Sequence, residues 1–201
     1  MNQIKAILQR IRNTAAFRYF EGNATLRYVL RISITLLVIT SVTAGALAVV
    51  NAVTAPIIAR HTAQKTQAAI NQVLPGGGEE VAFTDASGLV SKVYASDTGY
   101  AVQVQPIGFD DVITMMVGIA KDGKVLGISI ISQSETAGLG AVAAADNAAG
   151  EAFRQQFIGA QGSVVVTKDG GQMDAITGAT ITSRAICAGI NAALACVEAL
   201  G

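Results

Sequence analysis

Apolar positions along the chain change their spacing four times, and each change marks an element. Tyr28 to Val50 is an apolar run with Arg31 as its only charge. About 20 such residues cross a hydrocarbon core as a helix, and an arginine near one end can snorkel to the interface. Thr54 to Leu74 reads as a second helix: Pro56 sits near its start, Ala63, Ala68, Ala69, Ile70 and Val73 give it an apolar face, and Pro75-Gly76-Gly77-Gly78 ends it. Leu89–Ala95 is then a short β-rich run with imperfect alternation, and Tyr100–Pro106 alternates more cleanly, so both read as strands. Val112–Ala120 and Lys124–Ser132 flank Lys121-Asp122-Gly123, which predicts a hairpin. Helical spacing returns over Ala141–Phe157, Ser163–Thr167 reads as a short strand, and Ser183–Leu200 is a last helix with Ile186, Ile190, Ala193, Leu194 and Val197 on one face. The pattern predicts an α+β body, an antiparallel sheet with packed helices, behind a single membrane anchor. The corresponding segments are 1–27, a basic N-terminal stretch; 28–53, the membrane helix; and 54–201, the body.

Charge gives the anchor a direction. Lys5, Arg10, Arg12, Arg18 and Arg27 precede it against one acid, Glu21, whereas the first cations after it are Arg60 and Lys65. That asymmetry predicts a cytoplasmic N-terminus, a cytoplasmic-membrane location and a body outside. A cleaved leader is the competing reading, since Ala44-Gly45-Ala46 and Ala46-Leu47-Ala48 resemble cleavage sites. Ile4–Tyr19 reads either as a basic amphipathic helix on the inner bilayer surface or as a solvated basic tail. His61, beside the membrane, is assigned no role.

Composition excludes several functions. With 14 basic and 14 acidic residues the formal net charge is zero, so nothing points to a nucleic-acid partner. Two cysteines, Cys187 and Cys196, and one histidine are too few for a cysteine-ligated iron–sulfur cluster or a zinc site built by this chain. The cysteines fall nine residues apart in one helix, on opposite faces at about 3.6 residues per turn, so they read as small buried thiols. There is no nucleophile–base pair and no nicotinamide-binding glycine fingerprint, so no catalytic residue is assigned.

Two runs carry the chemistry. One is Glu135-Thr136-Ala137-Gly138-Leu139-Gly140, directly after the hairpin. The other is Asp174-Ala175-Ile176-Thr177-Gly178-Ala179-Thr180, followed by Ile181-Thr182-Ser183 and the last helix. Small residues let a bulky ligand approach the main chain, and hydroxyls at Thr177, Thr180, Thr182 and Ser183 crowd a helix start, where free N–H groups suit a phosphate. Two plainer readings stay open: Thr180 or Ser183 as an ordinary helix cap, and Glu135 as a solvated residue in a glycine-rich loop. Asp85 and the pair Asp110-Asp111 read as solvated. Asp-x-x-(Ser/Thr)-Gly-Ala-Thr arises by chance in roughly a few chains per ten thousand of this length.

The second run resembles the flavinylation motif of the FMN-binding domain family. That family includes the G subunit of Rnf electron-transport complexes and the C subunit of the sodium-pumping NADH:quinone oxidoreductase. The first run resembles the family's His-x-Glu-Thr-Pro-Gly-Leu-Gly signature, with Gln133 at the histidine position and Ala137 at the proline position. The resemblance covers the anchor and essentially the whole body, and its length and compact body suit the Rnf member better. It implies FMN joined by a phosphoester to Thr180, put there by a separate flavin transferase that recognises Asp174, Thr177, Gly178, Ala179 and Thr180. Thr182 and Ser183, with Glu135, Thr136, Gly138, Leu139 and Gly140, would complete the cofactor site. It further implies an electron-relaying subunit of an ion-translocating ferredoxin:NAD oxidoreductase, working with other membrane subunits. A stand-alone extracytoplasmic flavoprotein and a tethered, non-redox binding domain are the other readings.

Overall fold

The computed structural model describes residues 24–201; the basic segment Ile4–Tyr19 lies outside the described residues. One continuous helix, α1, runs Ala24–Val73. The helix expected to begin at Thr54 is thus the C-terminal part of α1. Pro56 lies inside the helix, where it has no N–H to give to the preceding turn. The apolar part of α1 is long enough to cross a membrane and none of it is buried.

The body is built on a five-stranded antiparallel meander in the order β1 to β5. The strands are β1 Glu79–Val81, β2 Val90–Ala95, β3 Gly99–Val104, β4 Thr114–Ala120 and β5 Val125–Ser132. The predicted hairpin is β4–β5: Gly123 takes φ +81°, and the Ala120 N–H meets the Lys124 carbonyl at 2.8 Å. Both faces of the sheet are covered. Ala69, Ile70, Val73 and Leu74, at and just past the end of α1, pack on Ala101, Met116 and Ile131. The opposite face, with Val93, Val102, Val104, Met115 and Val117, packs on the last helix, α3, Thr180–Leu200, through Ile186, Ile190, Ala193 and Val197. A strand covered on both faces loses the in–out alternation of a half-exposed one, which is why β4 is buried from Met115 through Ile119. Cys187 and Cys196 are both buried and unbonded. α3 is enclosed on most of its circumference, so opposite faces still meet the core.

Three expectations change. Ala141–Phe157 is not one helix but a 3₁₀ segment, Gly140–Ala144, and a short α2, Ala148–Gln155. Asn147 starts the second by accepting the Gly150 N–H at 2.9 Å, and Arg154 ties the two together through the Ala143 and Ala145 carbonyls at 2.8 and 3.0 Å. Ser163–Thr167 is not a strand. Val164 is held by the Asn191 side chain through both its N–H and its carbonyl, at 2.7 and 2.8 Å, and Val166 makes a lone parallel bridge with Met173. Asp85 is not merely solvated: it is half-buried and accepts from the N–H groups of Ser87 and Val90 at 2.8 and 2.9 Å. Burial pushes its carboxyl up, but hydrogen bonds from Ser87 and Val90 outweigh this and hold it below the ordinary aspartate value.

Candidate functional site

β3 and β5 run in the same direction in the meander, so the loops that follow them leave the sheet at one end. The start of α3 reaches the same end. The two sequence runs meet there through a pair of matching turns. Thr136–Leu139 closes with the Leu139 N–H on the Thr136 carbonyl at 3.1 Å, and Ile176–Ala179 closes with the Ala179 N–H on the Ile176 carbonyl at 2.9 Å. Each has glycine third, Gly138 and Gly178, both at φ +77°, the conformation a β-turn of this kind requires there. The turns touch: a Cβ added at Gly178 would lie 2.9 Å from Leu139 Cδ2.

Glu135 holds this arrangement together. It is 7% exposed, so the reading of a solvated carboxylate is overturned. One oxygen accepts the Phe109 and Asp110 N–H groups at 2.9 and 3.1 Å. The other accepts the Thr182 hydroxyl from the first turn of α3. A buried carboxylate is tolerated because these donors replace water. A side chain at Gly108 or Gly140 would fall on it, so both positions are kept clear for the carboxylate. The Glu135 N–H is itself accepted by Gln133 Oε1, giving the residue at the histidine position a structural job. Asp110 and Asp111 are exposed as expected, but their loop is anchored rather than free.

At α3 the capping alternative fails. The helix begins at Thr180 with Ala179 before it and no side-chain cap. Ser183 turns inward instead: its hydroxyl donates to the Ala179 carbonyl at 2.9 Å and accepts the Ile176 N–H at 3.0 Å, locking the second turn. The N–H groups of Thr180, Ile181 and Thr182 meet no acceptor among the described residues. Such unpartnered groups carry the positive end of the helix dipole. Thr180 is half-buried, and its Oγ1 accepts from Lys168 Nζ at 3.0 Å.

Between the turns lies a cleft of about 270 Å³, walled by Phe109, Leu139 and Ile181, with Glu135, Thr136, Gly140, Gly178, Ala179, Thr180 and Thr182 around it. Thr177, Gly138, Ser183 and Asp174 do not line it; the first three shape the turns. The main chain of Asp174 is gripped by the Gln156 amide, N–H to Oε1 at 2.7 Å and carbonyl to Nε2 at 3.0 Å. Sequence reasoning missed Phe109, Ile181, Gln156 and Lys168. No spacing marks them: Phe109, Gln156 and Lys168 reach the site from outside the regular strands and α-helices, and Ile181 from the exposed side of the first turn of α3. A larger groove of about 850 Å³ sits at the other end of α3, against Asn191, Leu194 and Glu198, and none of the candidate cofactor-site residues lines it.

Residues 108–195 match the FMN-binding domain family and residues 26–73 match the RnfG N-terminal region. The chain is 33% identical over 188 residues to the G subunit of the Na(+)-translocating ferredoxin:NAD(+) oxidoreductase complex of Acetobacterium woodii, an alignment that covers 82% of this chain and 89% of that protein. The chain belongs to this G-subunit family. Relatives from two further sources agree: the G subunits of the ion-translocating oxidoreductase complexes of Vibrio cholerae, at 31% identity over 79% of the chain and 85% of the relative, and of Methanosarcina acetivorans, at 29% over 84% and 94%. In this member of the family the site suits an FMN-type ligand. Apolar walls at Phe109, Leu139 and Ile181 fit a flat heteroaromatic ring, and the N–H groups of Thr180, Ile181 and Thr182, without an acceptor among the described residues, together with Lys168 beside the Thr180 hydroxyl would suit a phosphate. The cleft falls just under the roughly 300–1,000 Å³ that encloses most of such a ligand, so part of the ring system would stay at the surface.

Proposed function

We propose that this chain is the electron-transfer subunit of an Rnf-type ion-translocating ferredoxin:NAD oxidoreductase, carrying FMN through a phosphoester on Thr180. The observation that carries the reading is the convergence of two distant runs on Thr180. Thr180 lines a cleft with apolar walls, at a helix start whose first N–H groups meet no acceptor among the described residues. When bound, FMN supplies reversible electron transfer, which the side chains here cannot. In attachment, Thr180 Oγ1 loses its proton and bonds to phosphorus, as the phosphoanhydride bond of an activated flavin nucleotide breaks and its other half leaves. A separate flavin transferase performs that step, and the exposed Asp174, Thr177 and Gly178 with Ala179 are the main-chain and side-chain marks it reads. Gly178, Ala179, Thr182, Thr136, Leu139 and Gly140 hold the ring side, with Gly138, Ser183 and Glu135 fixing the turns. Surface exposure of part of the cofactor supports exchange of electrons with neighbouring membrane subunits rather than turnover of a small substrate.

The chain is held in the cytoplasmic membrane by the apolar part of α1, with its N-terminus inside and the body outside, the direction favoured by the basic residues before Tyr28. A covalent link keeps the cofactor from being lost there. The test is co-expression of the full chain with a flavin transferase, then a denaturing gel viewed for flavin fluorescence. A band in the parent and none in Thr180→Ala is expected. No band in the parent, or an undiminished band in the variant, removes the reading. A periplasm-dependent reporter fused after Gly201 is expected to be active; activity only of a cytoplasm-dependent reporter reverses the orientation.

A further inference from the structure

Resting on the reading of Thr180 as the acceptor, the geometry points to Lys168 as the residue that positions and neutralises the phosphoryl group there. Lys168 lies on a 3₁₀ turn, Thr167–Asp169, twelve residues from Thr180, and its ammonium donates to Thr180 Oγ1 at 3.0 Å. Three features make this more than a chance surface contact. First, the turn is bolted to α3: Asp169 receives Arg184 Nε and Nη2 at 2.6 Å each, and Arg184 stands four residues after Thr180, on the same helix face. Second, that ion pair is self-satisfied. The Arg184 guanidinium, and more weakly the Lys168 ammonium, hold the Asp169 carboxyl below its usual value, and Asp169 holds Arg184 up. Third, Lys168 is in no ion pair among the described residues. A cation in no direct ion pair among the described residues is thus held against the hydroxyl, beside the unpartnered N–H groups of Thr180, Ile181 and Thr182.

A phosphodiester carries one negative charge, and the Lys168 ammonium is the cation that reaches the acceptor oxygen. Lys168 donates to the acceptor oxygen without competing for its hydroxyl hydrogen, which passes to water or a base of the transferase as the Oγ1–P bond forms, the phosphoanhydride bond breaks and the other half of the nucleotide leaves with the bond's electron pair. Charge on the phosphoryl oxygens then develops beside the ammonium. Lys168 acts through charge at Thr180 and is a positioning residue.

The test measures the initial rate of flavin attachment to the full chain by purified flavin transferase, read from intact-protein mass. The chains compared are the parent, Lys168→Gln, Lys168→Arg and Thr180→Ala. The thermal midpoint of Lys168→Gln is expected to match the parent, because the side chain is exposed. Its attachment rate is expected to fall at least about fivefold, Lys168→Arg is expected to keep at least about half the parental rate, and the parent-to-Gln ratio is expected to shrink as salt is raised, as a charge effect requires. A smaller fall, an equal loss in Lys168→Arg, or a ratio indifferent to salt overturns the role of Lys168. Each of those leaves the acceptor reading intact so long as Thr180→Ala stays unmodified; attachment to Thr180→Ala removes both.

Discussion

Replacing Glu135 by alanine is expected to destabilise the body by about 2–5 kcal/mol, and the amount follows from what its carboxylate accepts. Three donors lose their acceptor: the Phe109 and Asp110 N–H groups and the Thr182 hydroxyl. Phe109 and Asp110 are exposed, so water can reach their N–H groups and each loss costs about 0.5–1 kcal/mol. Thr182 is 1% exposed, and an orphaned hydroxyl there costs about 1–3 kcal/mol, less where it turns back to a carbonyl of the preceding turn. Against a typical total of about 5–15 kcal/mol, the variant still folds, with its urea midpoint lowered by about 1–2 M. Glu135→Gln keeps one oxygen for the two N–H groups and is expected to lose only about 1 kcal/mol. The helix in detergent would obscure circular dichroism, so the assay is pulse labelling of thiols against urea. Cys187 and Cys196 are the only cysteines, and both are buried in the body, so labelling reports its unfolding alone. A midpoint shift under about 0.5 M in Glu135→Ala, or equal shifts in the Ala and Gln variants, would refute the argument that this carboxylate fastens the three segments.

Two further outcomes follow from the same geometry. Gly178→Val meets both φ +77° and Leu139 Cδ2, so it is expected to cost about 1–3 kcal/mol; adding Leu139→Ala relieves the steric part only, and full rescue in thiol labelling contradicts the backbone part. Burial pushes the Cys187 thiol up to about 11 from an ordinary value of 9.0. The unfolded thiol therefore ionises first, so the stability tied to this group is whole below pH 9 and declines as pH rises toward 11. The thermal midpoint is expected to fall over that window, and less steeply in Cys187→Ala; equal slopes contradict it.

Local signals made the sheet legible and hid the fastenings. The Lys121-Asp122-Gly123 turn and the apolar runs beside it located β4 and β5, and the spacing of Ile186, Ile190 and Val197 located α3. β1 was missed because Glu79-Glu80-Val81 is short and mostly polar. Ala141–Phe157 read as one helix because alanine hides the break that Asn147 makes by capping. The runs that form the site lie far apart in the chain: the site reaches from Phe109 to Thr182, and Glu135 and Thr182, which bond directly, are 47 residues apart. Their meeting depends on which loops leave the same end of the sheet, and no period in the chain reports that. The motif strings named Thr180, but they did not reveal that Glu135 is buried, that Ser183 locks a turn, or that Lys168 reaches the acceptor oxygen.

The central claim is a phosphoester at one hydroxyl among several. Tryptic cleavage after Lys168 and Arg184 releases Asp169–Arg184, which contains Thr177, Thr180, Thr182 and Ser183 together. Fragment-ion mass mapping of that peptide, from chain matured with a flavin transferase, is predicted to put the flavin-phosphoryl mass on Thr180 and none on its three neighbours. The same mass on Thr177, Thr182 or Ser183, or a peptide found only unmodified, contradicts the account.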